Sequence, residues 1–258
     1  MTKNNIKSRL LNGETVYGPF CKLQDPSVVE IAALAGFDFV ILDMEHGPLS
    51  VETVQNISRA AKAQNLEVVV RVTENNPANI LRVLDIGVHS IQVPQVSTKK
   101  DAQEVVKSSY FHPHGERGMC RYVRAADYTN TEKQTYFSSA ESDTLTIVHI
   151  EGLAGIENLA EIISINGIDV IFLGPYDLSQ SCGVPGEVHH PLVVSKMQEA
   201  VMLAKANNKI IGTFCESPSD AHKWRDLGVQ YISYSVDVGI ILNACLLYTS
   251  DAADDLVG

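Results

Sequence analysis

The chain has 258 residues, of which 45% are hydrophobic and 20% charged, the composition of a soluble globular protein long enough for one large α/β domain. A net charge of −11 with only 20 Lys plus Arg makes nucleic acid an unsuitable partner, and no apolar run approaches the roughly 18–20 residues that cross a bilayer. The five cysteines form no C-x-x-C pair and are too dispersed for a zinc knuckle or a disulfide framework, so reduced thiols in a cytoplasm are expected.

Short β-branched runs alternate with amphipathic segments from end to end. Strands are predicted at 16–21, 38–43, 67–72, 89–94, 144–150, 169–174, 209–215 and 230–235. They are nearly continuous apolar runs, as expected of parallel strands covered on both faces. The intervening helices carry end signals: Asp25-Pro26 opens one that stops at Gly36, Asn76-Pro77 one that stops at Gly87, and Ser217-Pro218 one that stops at Gly228. This alternation predicts a single (β/α)8 TIM barrel over residues 1–244, and no G-x-G-x-x-G or Walker loop favours a nucleotide-binding sheet instead.

Two segments depart from the rhythm. Residues 110–143 are too long for a plain barrel connection and suggest a substrate-side or subunit-contact excursion without clear internal structure. The tail from Cys245, "CLLYTSDAADD", resembles a translated transposase-type sequencing adaptor, so 245–258 is set aside as a non-native scar and the final helix is expected to be cut short.

In such a barrel, chemistry gathers at the C-terminal ends of the strands. "FVILDMEHGP" leads from a core-like strand into Asp43, Glu45 and His46; the third strand ends in Arg71, the fifth in Glu151, and the sixth runs into "GPYDLS" with Asp177. His149 shares a strand face with Glu151. Singly, each has an ordinary explanation: a carboxylate capping the next helix, a structural ion pair for Arg71, a hydrogen-bonded loop or barrel histidine for His46 or His149. Together they suggest a pocket. Two acidic groups with open positions suit a hard divalent cation such as Mg²⁺, Mn²⁺ or Co²⁺, which a 2-oxo acid can chelate. His112, His114, His189 and His190 lack ligand spacing.

The motifs "DMEHGP", "VVVRV", "VLDIGVHSIQVPQV", "GERG", "HIEG" and "FLGPYDLS" occur in the order seen in the HpcH/HpaI aldolase family, and the resemblance covers about residues 8–244. The family includes class II, metal-dependent pyruvate aldolases such as 4-hydroxy-2-oxoheptanedioate and 2-dehydro-3-deoxyglucarate aldolases. The resemblance implies reversible cleavage of a 4-hydroxy-2-oxo acid to pyruvate and an aldehyde. It implies that Glu151 and Asp177 bind the ion, Arg71 contacts the ketone oxygen, and His46 is the base, oriented by Asp85. Asp43, Glu45 and His149 would support the site. Backbone N–H groups around Gly174, Pro175, Tyr176 and Asp177 would receive the substrate carboxylate, and a homo-oligomer, usually a hexamer with an exchanged last helix, is implied. His149 stands where the heptanedioate aldolases resemble Q-x-E, and "GMCRYVRAADYT" also departs from them.

Rival readings are a Schiff-base aldolase, for which Lys22 alone lies near a strand's C-terminal end, a synthase of the same barrel acting on another 2-oxo acid or a CoA thioester, and a non-catalytic 2-oxo-acid sensor.

Overall fold

In the computed structural model, which describes residues 5–254, every predicted strand forms within a residue or two of its expected position. In chain order they are β1 (Val16–Cys21), β2 (Phe39–Asp43), β3 (Glu67–Arg71), β4 (Ser90–Val93), β5 (Leu145–Ile150), β6 (Val170–Leu173), β7 (Ile210–Cys215) and β8 (Tyr231–Val236). All neighbours are parallel, and β8 pairs back onto β1, closing a barrel. The helices are α1 (Ile6–Leu11), α2 (Ser27–Leu34), α3 (Val51–Ala63), α4 (Pro77–Asp85), α5 (Lys99–Ser109), α6 (Lys133–Asp143), α7 (Leu153–Glu157), α8 (Leu159–Ile163), α9 (Pro175–Ser181), α10 (Pro191–Ala206), α11 (Pro218–Leu227) and α12 (Asp237–Asp254).

The end signals act through backbone groups that a helix leaves unpaired. Asn76 accepts hydrogen bonds from the N–H groups of Ala78 and Asn79, and Ser217 accepts from that of Asp220; a proline follows each cap, where a missing N–H costs nothing. Asp25 lies one residue outside the boundary and accepts from the N–H of Ser27 at 2.8 Å. Gly228 closes α11 at φ 103°, a left-handed conformation that a Cβ would strain.

The two faces of each strand build two cores. Outward-facing Val40, Leu42, Val68, Val70, Ile91, Val148, Ile150 and Ile171 pack under the helices. Inward-facing Phe39, Ile41, Val69, Ile147, Phe172 and Tyr231 fill the lumen. Fully burying each such side chain contributes roughly 1.5–3 kcal/mol, so the barrel is a packed support for what sits at its rim. Glycine sets the lumen's shape: a Cβ on Gly212 would lie 2.7 Å from Tyr231 Cδ1 and 3.0 Å from Phe172 Cδ2.

The 110–143 excursion differs from expectation. It contains a 3₁₀ segment (Arg124–Thr129) as well as α6, and it joins the end of α5 to the start of β5. A connection of that kind lies at the N-terminal mouth of the barrel, opposite the end where strands deliver side chains to a pocket. Its Arg117 pairs with Asp85 at 2.8 Å, and Arg124 donates to the carbonyl of Ile86. Within one chain it braces α4 and does not cover a substrate. The helix α12 runs through Cys245 to Asp254, while residues 255–258 of the set-aside tail lie outside the described residues.

Candidate active site

The C-terminal ends of the strands surround a cavity of about 380 Å³. Its walls include Asp43, His46, Arg71, His149, Glu151, Gly174, Pro175, Tyr176 and Asp177, with Phe20, Phe172, Phe214 and Val236 supplying an apolar side. Strand ends from across the sequence therefore converge on one space.

Strand register fixes the centre of the site. Asp43 and Arg71 are direct neighbours on β2 and β3, and Arg71 neighbours Gln92 on β4. Arg71 Nε donates to Asp43 Oδ1 at 2.9 Å and Nη2 to Oδ2 at 2.8 Å, a bidentate pair. Asp43 Oδ1 also accepts the N–H groups of Glu45 and His46, so the fully buried carboxylate shapes the turn that carries both. Burial pushes the Asp43 carboxyl up, but Arg71, the N–H of His46 and the Lys22 charge hold it below its ordinary value. The guanidinium lies over the Phe20 ring at 4.6 Å, and its Nη1 is 3.0 Å from Glu45 Oε2. That ion pair lacks hydrogen-bond alignment, since Glu45 Oε2 is buried with no hydrogen-bond partner. Of the five N–H groups of an arginine, Nη1 and Nη2 keep some free to face a ligand.

The carboxylates are tuned apart. Burial raises Glu45, with Arg71 opposing and Glu151 reinforcing the rise. Burial would raise Glu151 too, but the His149 ring, the N–H of Gln95 and Arg71 outweigh it and hold that carboxyl below its ordinary value. Gln95 N–H donates to Glu151 Oε1 at 2.7 Å from a left-handed turn, and His149 Nδ1 lies 3.1 Å from Oε2. Opposed shifts among neighbouring acids are typical of functional clefts.

Asp177 stands in the first turn of α9, exposed to the cavity, behind Gly174 and Pro175. A Cβ on Gly174 would lie 2.8 Å from Glu151 Cβ and 3.0 Å from Oε2, so glycine leaves the room in which Glu151 sits. Gly174 also gives the first turn of α9 no side-chain cap, leaving its N–H groups open. His46 is exposed at the rim, with Nε2 3.8 Å from Glu45 Oε2.

One expected member is absent from this grouping. Asp85 ends α4, at the N-terminal mouth, bound to Arg117, and within one chain it cannot orient His46. Residues not anticipated for the site are Gln92, Gln95 and Tyr231. A polar side chain two positions beyond Ser90 in the apolar "SIQVP" strand was the available signal for Gln92. Lys22, the Schiff-base candidate, lines the cavity with Nζ 3.7 Å from Asp43 Oδ2.

A carboxylate held ionised beside a glycine-cleared space, with Asp177 lining the same cavity, fits a hard divalent cation. Among the described residues no three His, Cys, Asp or Glu side chains converge as a closed metal cage.

A barrel whose strand ends present this charged set to one cavity defines an enzyme-type site. The family model "HpcH/HpaI aldolase/citrate lyase" matches residues 17–244, and the chain belongs to that family. It is 31% identical over 258 residues to 2-keto-3-deoxy-L-rhamnonate aldolase of Klebsiella pneumoniae, covering 98% of this chain and 96% of that one. It is 33% identical over 238 residues to a pyruvate aldolase of Rhizobium etli, covering 92% and 93%. A crystal structure of an HpcH/HpaI aldolase/citrate lyase family protein from Burkholderia cenocepacia superposes with TM-score 0.91 at 32% identity, covering 99% and 100% of the two chains.

Proposed function

We propose that the protein is a divalent-metal-dependent aldolase that reversibly cleaves a 4-hydroxy-2-oxo acid to pyruvate and an aldehyde. The observation that carries this reading is the shared cavity of Arg71, His46, Glu151 and Asp177 at the strand ends. Glu151 and Asp177 would hold the cation (Mg²⁺, Mn²⁺ or Co²⁺). When bound there, it would supply Lewis acidity toward the carbonyl of a 2-oxo acid.

The chain's own groups have distinct tasks. Arg71, anchored by Asp43, aims its remaining N–H groups at the ketone oxygen, where negative charge grows as the C3–C4 bond breaks. N–H groups of Tyr176 and Asp177, at the open start of α9 behind Gly174 and Pro175, receive the substrate carboxylate. His46 takes the proton of the C4 hydroxyl as the aldehyde departs, and a proton then returns to C3 to give pyruvate. Glu45 braces Arg71 and lies beside His46.

Asp85 would reach a His46 only from a neighbouring copy. The exposed Ile240, Ile241 and Leu242 on α12 support a homo-oligomer, hexameric by family resemblance. We place that oligomer in the cytoplasm, where its free cysteines would stay reduced. Mixing inactive His46→Ala and Asp85→Ala proteins should then restore part of the activity, and no recovery would remove Asp85 from the site.

The direct test is exchange of pyruvate methyl protons in deuterated water with Mn²⁺. Exchange that EDTA abolishes and metal restores supports the enzyme; absence of exchange with every divalent ion favours a sensor. Borohydride with pyruvate should leave no adduct, and one on Lys22 would replace this mechanism by a Schiff base.

A further inference from the structure

Below the rim, three buried polar side chains meet in the lumen, two from the paired strands β4 and β5 and one from β8 on the opposite side. Tyr231 on β8 and Gln92 on β4 are wholly buried, and His149 on β5 is 1% exposed. The Tyr231 hydroxyl donates to Gln92 Oε1 at 3.0 Å. Gln92 Nε2 meets His149 Nε2, and His149 Nδ1 meets Glu151 Oε2 at 3.1 Å.

Each contact in this row constrains the next. A tyrosine hydroxyl has one proton, and here it goes to the amide oxygen, so the other end of the Gln92 amide is an NH₂ that can only donate. His149 Nε2 must then accept. A neutral imidazole that accepts at Nε2 carries its proton on Nδ1, where the Glu151 carboxylate takes the hydrogen bond. Turning the amide over would place its oxygen against Nε2 and require protons on both ring nitrogens. The rings themselves are confined. His149 stacks on Phe172 at 4.4 Å and Tyr231 on Phe39 at 4.4 Å, while Phe172 meets Tyr231 edge-on at 6.0 Å. Gly212 leaves the space that this aromatic layer occupies.

We propose that Tyr231, Gln92 and His149 are positioning residues: a buried relay that fixes the proton of His149 on Nδ1 and so sets the orientation in which Glu151 presents its oxygens to a cation. The last clause rests on the reading of Glu151 as a cation ligand; the assignment of the His149 proton does not. With the N–H of Gln95 on Oε1, Glu151 is held at both oxygens before any ion arrives. Partners of this kind typically change metal affinity by 10- to 100-fold, roughly, when removed.

Two measurements test the relay. In ¹⁵N-histidine NMR of the metal-free protein, the His149 ring, assigned by its loss in His149→Gln, should show a protonated Nδ1 and a bare Nε2. A wild-type His149 protonated at Nε2, or at both nitrogens, overturns the proposal without recourse to any variant. In Tyr231→Phe the amide loses its constraint, and the His149 signal should shift toward a ring protonated at Nε2 as well as Nδ1. Mn²⁺ binding followed by electron paramagnetic resonance should weaken about 10-fold or more in His149→Ala. It should weaken by a smaller factor in Tyr231→Phe, and recover in part in His149→Gln, whose amide can again donate to Glu151. Wild-type affinity in all three variants, each with a native melting transition, overturns the orienting role. A wild-type protein that binds no Mn²⁺ instead overturns the cation reading of Glu151, and the tautomer result is then judged alone.

Discussion

Asp43 and Arg71 stand side by side on adjacent strands and close a two-point fork, Nε to Oδ1 at 2.9 Å and Nη2 to Oδ2 at 2.8 Å. The fork lets a buried cation and a buried anion coexist at the base of a cavity, because each satisfies the other and Asp43 further accepts two backbone N–H groups. It also turns Arg71 so that its remaining donors face the space where a substrate would lie.

Removing one partner should therefore be costly. Asp43→Ala leaves the Arg71 charge without its fork and releases the turn carrying Glu45 and His46. A stability loss of about 3–5 kcal/mol is expected, measured by urea unfolding. Arg71→Lys keeps the charge but loses the fork, and should lower proton exchange by roughly 10²–10³-fold with the fold intact. Wild-type exchange in Arg71→Lys would remove the oxyanion role.

His46 and Asp177 should separate chemistry from binding. His46→Ala is expected to lose pyruvate exchange, by roughly 10²–10⁴-fold, yet retain Mn²⁺. Asp177→Ala should lose both. Native exchange in His46→Ala would make another group the base.

Gly174 tests the space around Glu151. In Gly174→Ala the new methyl group would sit 2.8 Å from Glu151 Cβ and 3.0 Å from Oε2, so the carboxylate must move. Mn²⁺ affinity should fall by roughly 10-fold while far-ultraviolet circular dichroism stays unchanged. Unaltered affinity would mean that Glu151 is not held where the ion binds.

A stability prediction concerns the opposite mouth. Burial, with Asp143 adding to it, raises the Glu67 carboxyl to about 7. An unfolded glutamate titrates near 4.3, so between these values the folded chain holds the extra proton. Stability is thus greatest below about 4.3 and falls as pH rises toward 7. Glu67→Gln should remove that slope and add up to about 3 kcal/mol at pH 8. Parallel pH–stability curves for the two proteins between pH 5 and 8 would contradict the assignment.

The strands, the proline-led helix starts and the charged residues of the rim were legible in sequence because each is written locally. An apolar run such as "FVILD" specifies a strand buried on both faces, and Asn76-Pro77 or Ser217-Pro218 specifies a helix start through atoms two or three residues away. Strand-end position then marked Asp43, Glu45, His46, Arg71, Glu151 and Asp177 as candidates, since the fold sends such positions to one mouth.

What required the tertiary structure was partnership across the barrel. Tyr231 meets Gln92 across 139 residues of chain, and Gln92 meets His149 across 57. No local pattern encodes such pairs; the β4–β5 register sets Gln92 beside His149, and closure of β8 onto β1 brings Tyr231 to Gln92 across the lumen. The same holds for Asp85, whose place at the far end of α4 beside Arg117 follows from the direction in which the helix returns. Local signals along the chain specified which elements form and which residues stand at their ends, because capping, burial and periodicity act over a few residues. The closed sheet decided who faces whom, because hydrogen bonds and charge pairs depend on distance in space.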